Sequence, residues 1–215
     1  MASRPTPKSA RPTLIWLALL GAMTMPIIIA AFSPYLAYRD PAYIIAGFAG
    51  IICLALFLIQ PLFAAGYLPG LHPMGARRWH RGIGSAIFLC VVLHIGGLYI
   101  TSPPDTLDAL MLVAPTPFSV YGVLATLGLL LTALLLILRR KRTLRYPLWR
   151  MLHNVLALGI VGATIIHALQ IQGTMGPISK WLLCGAVLVV TCATLLDQRL
   201  IRPSRARRHA LNHNN

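Results

Sequence analysis

Four histidines offer the first chemistry in this sequence. His80 and His94 stand 14 positions apart, and so do His153 and His167, the pattern H-x13-H written twice. On a helix, 14 residues rise about 21 Å and turn to within about 40° of four full turns, so both imidazoles of a pair leave nearly the same face. Two such faces set side by side place His80 opposite His153 and His94 opposite His167. Opposed imidazoles on neighbouring helices suit bis-axial ligation of a haem iron. The expectation is two stacked b-type haems, with the four histidines as metal ligands, forming an electron path.

The elements that must position these residues are membrane helices. The chain has 215 residues, 57% of them apolar and 11% charged, with a mean hydropathy of +0.74. Soluble domains carry about 25% charge. A bilayer-spanning helix needs about 20 mostly apolar residues, and six segments qualify: 13–33, 43–65, 82–100, 118–138, 148–170 and 178–196. The third and fifth run in the same direction, as the histidine pairing requires. Pro26 is expected to kink the first. The fold class expected is an all-α integral membrane protein, a six-transmembrane-helix bundle. Residues 1–12 form a basic N-terminus, 13–200 the membrane domain and 201–215 a short basic tail. No internal repeat of sequence and no soluble domain is read.

The formal net charge of +15 is topological. Seventeen of the nineteen cations fall on one side: Arg4, Lys8 and Arg11; Arg77, Arg78 and Arg81; Arg139, Arg140, Lys141, Arg142, Arg145 and Arg150; Arg199, Arg202, Arg205, Arg207 and Arg208. Arg39 and Lys180 fall on the other, with Asp40, Asp105 and Asp108. The positive-inside rule then gives an N-in/C-in protein of the plasma (bacterial inner) membrane. The cations are spread over loops, so the partner expected is the lipid bilayer and no nucleic acid. Ionisable groups within a membrane mark function by default, which returns attention to the histidines.

Neighbouring residues agree. Gly82, Gly84, Gly96, Gly97, Gly159 and Gly162 leave room for a flat macrocycle beside a helix. Arg77, Arg78, Arg81 and Arg150 cluster near the inner pair, where each can meet a haem propionate or an anionic flavin phosphate. Trp79 and Trp149 read as interfacial anchors first and as porphyrin packing second. His72 lies in a Gly/Pro-rich loop, and His209 and His213 in the tail. Cys53, Cys90, Cys184 and Cys192 lie in apolar runs without metal or haem-attachment spacing, and read as buried small hydrophobes.

Arg78-Trp79-His80-Arg81-Gly82-Ile83-Gly84 with Leu93-His94, and Leu152-His153-Asn154 with Ile166-His167, resemble the third and fifth helices of the ferric reductase-like transmembrane domain. The resemblance covers about residues 40–200. It implies a six-helix bundle with two haem b groups, the inner held by His80 and His153, the outer by His94 and His167. In the larger members FAD and NAD(P)H domains follow the sixth helix. Here only a short tail does, so the expectation is a subunit whose FAD or FMN sits on a partner or at the cytoplasmic face. Its donor would be a cytoplasmic flavoprotein reductase or quinol. Its acceptor at the outer face, below the 101–117 loop, would be a ferric chelate, dioxygen, a copper ion or a periplasmic protein. Two rivals stand beside this oxidoreductase reading. One is a haem b subunit exchanging electrons with membrane quinone or serving a periplasmic reductase. The other is a haem-free transporter whose histidines relay protons.

Overall fold

The computed structural model describes residues 10–141 and 144–204. Arg4, Lys8, Arg142, Arg205, Arg207, Arg208, His209 and His213 lie outside the described residues. Seven α-helices and no strand occur among the described residues: α1 (Arg11–Ala31), α2 (Pro41–Ala65), α3 (Pro73–Thr101), α4 (Pro103–Leu110), α5 (Pro117–Arg140), α6 (Tyr146–Gln170) and α7 (Pro177–Leu196). All but α4 are long and apolar enough to cross a membrane. The protein is a multi-pass helical membrane protein.

Proline sets the starts. Each of the seven helices carries a proline in its first two positions. There its missing N–H costs nothing and its fixed φ is already helical. Side chains complete two caps: Asp40 accepts from the Ala42 N–H at 2.7 Å, and His72 Nδ1 from Met74 at 3.4 Å. Gly66 ends α2 in the left-handed region at φ 68°, where a side chain is strained.

Two spans differ from the sequence reading. α3 begins at Pro73 rather than 82, because a hydropathy window finds the lipid-embedded part of a helix and stops at Arg77, Arg78 and Arg81. His80 therefore lies well inside α3. The 101–117 connection contains α4, which Pro103 and Asp105 start.

Hydrogen bonds between chain-distant residues define two ends. At one end Trp16 donates to Pro69 O, Arg202 to Ala65 O and Arg199 to Arg150 O. The described arginines other than Arg39 gather at that basic end. At the other, Lys180 Nζ donates to Ile171 O, satisfying a carbonyl left over at the C-terminus of α6. α2 is the most buried helix, and the main core joins it to α1, α3, α6 and α7 through Ala30, Leu54, Leu58, Ile87, Ile160, Leu183 and Val187. Leucines such as Leu17, Leu127, Leu131 and Leu182 face outward, as lipid contact demands. α3 packs along α2, and α6 along α5 and α7, so the histidine helices face each other from separate pairs.

Candidate functional site

The four histidines meet as the spacing predicts. His80 and His153 have ring centres 6.2 Å apart, near the basic end, and His94 and His167 have theirs 6.3 Å apart towards the other. The ring planes cross at 81° and 85°. All four are half-buried.

Backbone carbonyls orient three of the rings. His94 Nδ1 bonds Ala46 O at 2.7 Å, His167 Nδ1 bonds Phe118 O at 2.7 Å, and His80 Nδ1 bonds Gln60 O at 3.1 Å. A carbonyl only accepts, so each Nδ1 carries the proton and each Nε2 keeps its lone pair. Hydrogen bonding of this kind fixes the tautomer of a metal-ligating histidine. His153 has no hydrogen-bond partner among the described residues. Its ring lies instead on Trp149, 5.5 Å away and 8° from parallel.

Two glycines complete the outer clamps. A Cβ on Gly50 would lie 3.1 Å from His94 Nδ1, and one on Gly122 would lie 2.9 Å from both Nδ1 and Cε1 of His167. Each glycine stands four residues after the carbonyl that orients the same ring, Gly50 after Ala46 and Gly122 after Phe118. The hairpin α2–α3 is thus repeated by α5–α6. The intervals His80 to His153 and His94 to His167 are both 73 residues. Sequence reading had found no repeat, because only this geometry is shared.

The glycines singled out from sequence divide. Gly82, Gly96, Gly159 and Gly162 face open space, whereas a Cβ on Gly97 would meet Ala42 O at 2.7 Å and Ala46 Cβ at 2.9 Å. Gly97 therefore serves close packing of α3 on α2. Gly84 faces the Gln60 side chain. Trp79 stacks on Phe63 at 6.0 Å, on the side of α2.

Arg78 and Arg81 lie exposed on the first turns of α3. Arg150 is exposed on α6, its guanidinium 5.9 Å over the Tyr146 ring. Arg199, not singled out from sequence, is the engaged cation near His153. It donates to Arg150 O at 2.8 Å, and Asn154, with its amide turned to satisfy its neighbours, accepts from it at 2.7 and 2.8 Å. Its signal was weak because it sits 46 residues beyond His153 in a basic run that topology already explained.

The donor set discriminates among metals. No group of three or more His, Cys, Asp or Glu side chains able to hold a metal ion occurs among the described residues. A structural zinc ion needs four such ligands. Each pair offers two, which matches an iron whose other ligands come from a macrocycle. Two imidazoles sharing one metal, with nitrogen–metal bonds of about 2.0–2.1 Å, put ring centres about 6.3 Å apart. Gln60 Oε1, on the residue whose carbonyl orients His80, is buried with no partner among the described residues. As an acceptor it calls for a hydrogen-bond donor, which neither a macrocycle nor its propionates supply, so it carries no argument for the group. The residues fit a haem at each pair.

The family model described as ferric reductase like transmembrane component matches residues 45–164. The chain belongs to this family. The match contains His80, His94 and His153 and ends three residues before His167. No curated protein and no solved structure matches the chain.

Proposed function

We propose that the protein carries electrons across the membrane through two b-type haems, from a reductant at the basic end to an acceptor at the opposite end. The supporting observation is the pair of opposed histidines repeated at two depths, with ring separations of 6.2 and 6.3 Å. Haem iron would supply the one-electron redox chemistry. His80 and His153 would hold the inner group, and His94 and His167 the outer one. Ala46, Phe118 and Gln60 hold their imidazoles with Nε2 free, and their hydrogen bonds raise ligand basicity. Arg78, Arg81 and Arg150, exposed at the basic end, are the cations that would pair with propionates of the inner group. The basic end is the cytoplasmic one on the positive-inside rule, in the bacterial inner membrane. A flavoprotein carrying FAD or FMN is the donor that best matches so cationic a surface. Ferric chelate, dioxygen, copper ion or a periplasmic protein are the acceptors to be tried.

The purified protein is expected to show reduced-minus-oxidised b-type bands at two haems per chain by haemochrome assay. Colourless, fully folded protein refutes the reading and favours a histidine proton relay.

A second reading, exchange of electrons with membrane quinone, draws on one observation. An open apolar groove of about 440 Å³ lies between α3, α4 and α5, lined by Val91, Ile95, Tyr99, Leu107 and Leu129 among others. It suits an isoprenoid tail. Reduction of the b-type bands by a quinol analogue in the absence of any flavoprotein would select it.

A further inference from the structure

The aromatic rings at the start of α6 form a line that none of the preceding roles uses. Tyr146, Trp149 and His153 sit at i, i+3 and i+7, one face of the helix. Tyr146 and Trp149 stack with ring centres 5.8 Å apart and planes 27° apart. Trp149 and His153 stack at 5.5 Å and 8°. Tyr146 is 52% exposed at the basic end. Arg139 and Arg150 hold their guanidinium carbons 5.5 and 5.9 Å over its ring, from α5 and α6. A continuous run of π-systems therefore joins the basic surface to the ring that faces His80.

Among the described residues the α3 side has no equivalent. Its tryptophan, Trp79, stacks on Phe63. Ring support differs in the same sense, since His80 is held by Gln60 O and His153 by the face of Trp149.

We propose that electrons enter the protein over α6, through the Tyr146–Trp149–His153 stack, and that Tyr146 with Arg139 and Arg150 is the docking surface for an acidic flavoprotein. This rests on the reading of the histidine pairs as haem ligands. The rings are not themselves reduced; they shorten the gap an electron tunnels between the donor and the inner pair. A flavin hydroquinone on the partner gives two electrons, one per transfer, becomes oxidised flavin and releases two protons to solvent. Each electron converts one ferric iron to ferrous. The guanidinium groups supply the charge that draws an acidic partner to this edge, and both make cation–π contact with Tyr146.

Reduced flavodoxin, an acidic flavin protein, serves as probe. Reduction of the b-type bands is followed by stopped flow, and binding of oxidised flavodoxin by its flavin fluorescence, on full-length protein in neutral-lipid nanodiscs. Arg139→Gln with Arg150→Gln is expected to weaken binding and slow reduction about tenfold and to flatten the salt dependence. Arg11→Gln, a charge removed at the same end, is expected to do neither. Trp149→Leu and Tyr146→Leu slow reduction at saturating flavodoxin, Trp149→Phe and Tyr146→Phe restore it, and in the Tyr146 variants, whose ring stacks on Trp149 rather than on His153, the haem midpoint potentials stay fixed. If Trp149→Leu loses haem, Tyr146→Leu at the surface decides the matter. Wild-type rates in both leucine variants, or weakened binding from Arg78→Gln in place of the α6 pair, overturns the proposal. Arginines whose loss removes only a stabilisation by anionic phospholipid belong to lipid, and that too overturns it. Absence of b-type bands sinks the proposed function instead, and flavodoxin binding still decides the docking surface.

Discussion

At the scale of residues, the orientation of an imidazole is set by groups far away in sequence. The outer histidines have their Nδ1 atoms on Ala46 and Phe118 carbonyls, with Gly50 and Gly122 pressed against the rings. Adding a methyl at Gly122 drives a Cβ to 2.9 Å from two atoms of His167, and the ring must turn. Gly122→Ala is therefore expected to lose the outer haem and keep the inner, as His167→Ala does. Gly159→Ala, facing open space, should retain both by haemochrome assay; equal haem content in all three variants would refute the clamp. The histidines themselves were legible, because equal spacing on parallel helices is a pattern along the chain. Gly50 and Gly122 were not, since what makes them special is a neighbour on another helix. Gly97 was misread for the same reason: a glycine next to a ligand looked like room for a macrocycle, and the space beside it is filled by Ala42 and Ala46.

At the scale of elements, close approach of helix pairs fixes the frame. Gly97→Ala overpacks α2 against α3 and is expected to cost about 1–3 kcal/mol, read as a lower unfolding temperature in detergent. A second tie holds the basic end. The Tyr67 phenol, between α2 and α3, donates to Asp197 beyond α7, and Arg202 pairs with the same carboxylate at 2.7 Å. Desolvation, and then the bond to Asp197, raise the Tyr67 pKa above its ordinary value. The protonated phenol is the form the fold favours, so its contribution is complete below about pH 10 and disappears as pH rises through the raised value. Tyr67→Phe should remove that alkaline loss and lower stability at neutral pH; an unchanged alkaline transition would show that the tie contributes nothing. Helix number was readable from hydropathy, and helix starts from proline. The true start of α3 was hidden, because its first turns are cationic and only the His72 cap and Pro73 announce them.

At the scale of the whole molecule, charge and apolar surface place the chain in a bilayer with one basic end. Single cysteines at Arg78→Cys and Asp105→Cys are expected to react with an impermeant maleimide from opposite sides of sealed vesicles. Labelling of both from one side would break the six-span topology. The two hairpins carry a further consequence. Since α2–α3 and α5–α6 each present one histidine at each depth, neither hairpin contains a complete site, and both sites lie on their common boundary. On the proposed reading the molecule is a dimer written in a single chain, its halves kept at high effective concentration by the α4 connection. Severed between 111 and 116 and produced as two fragments, it should gain colour only where both fragments meet.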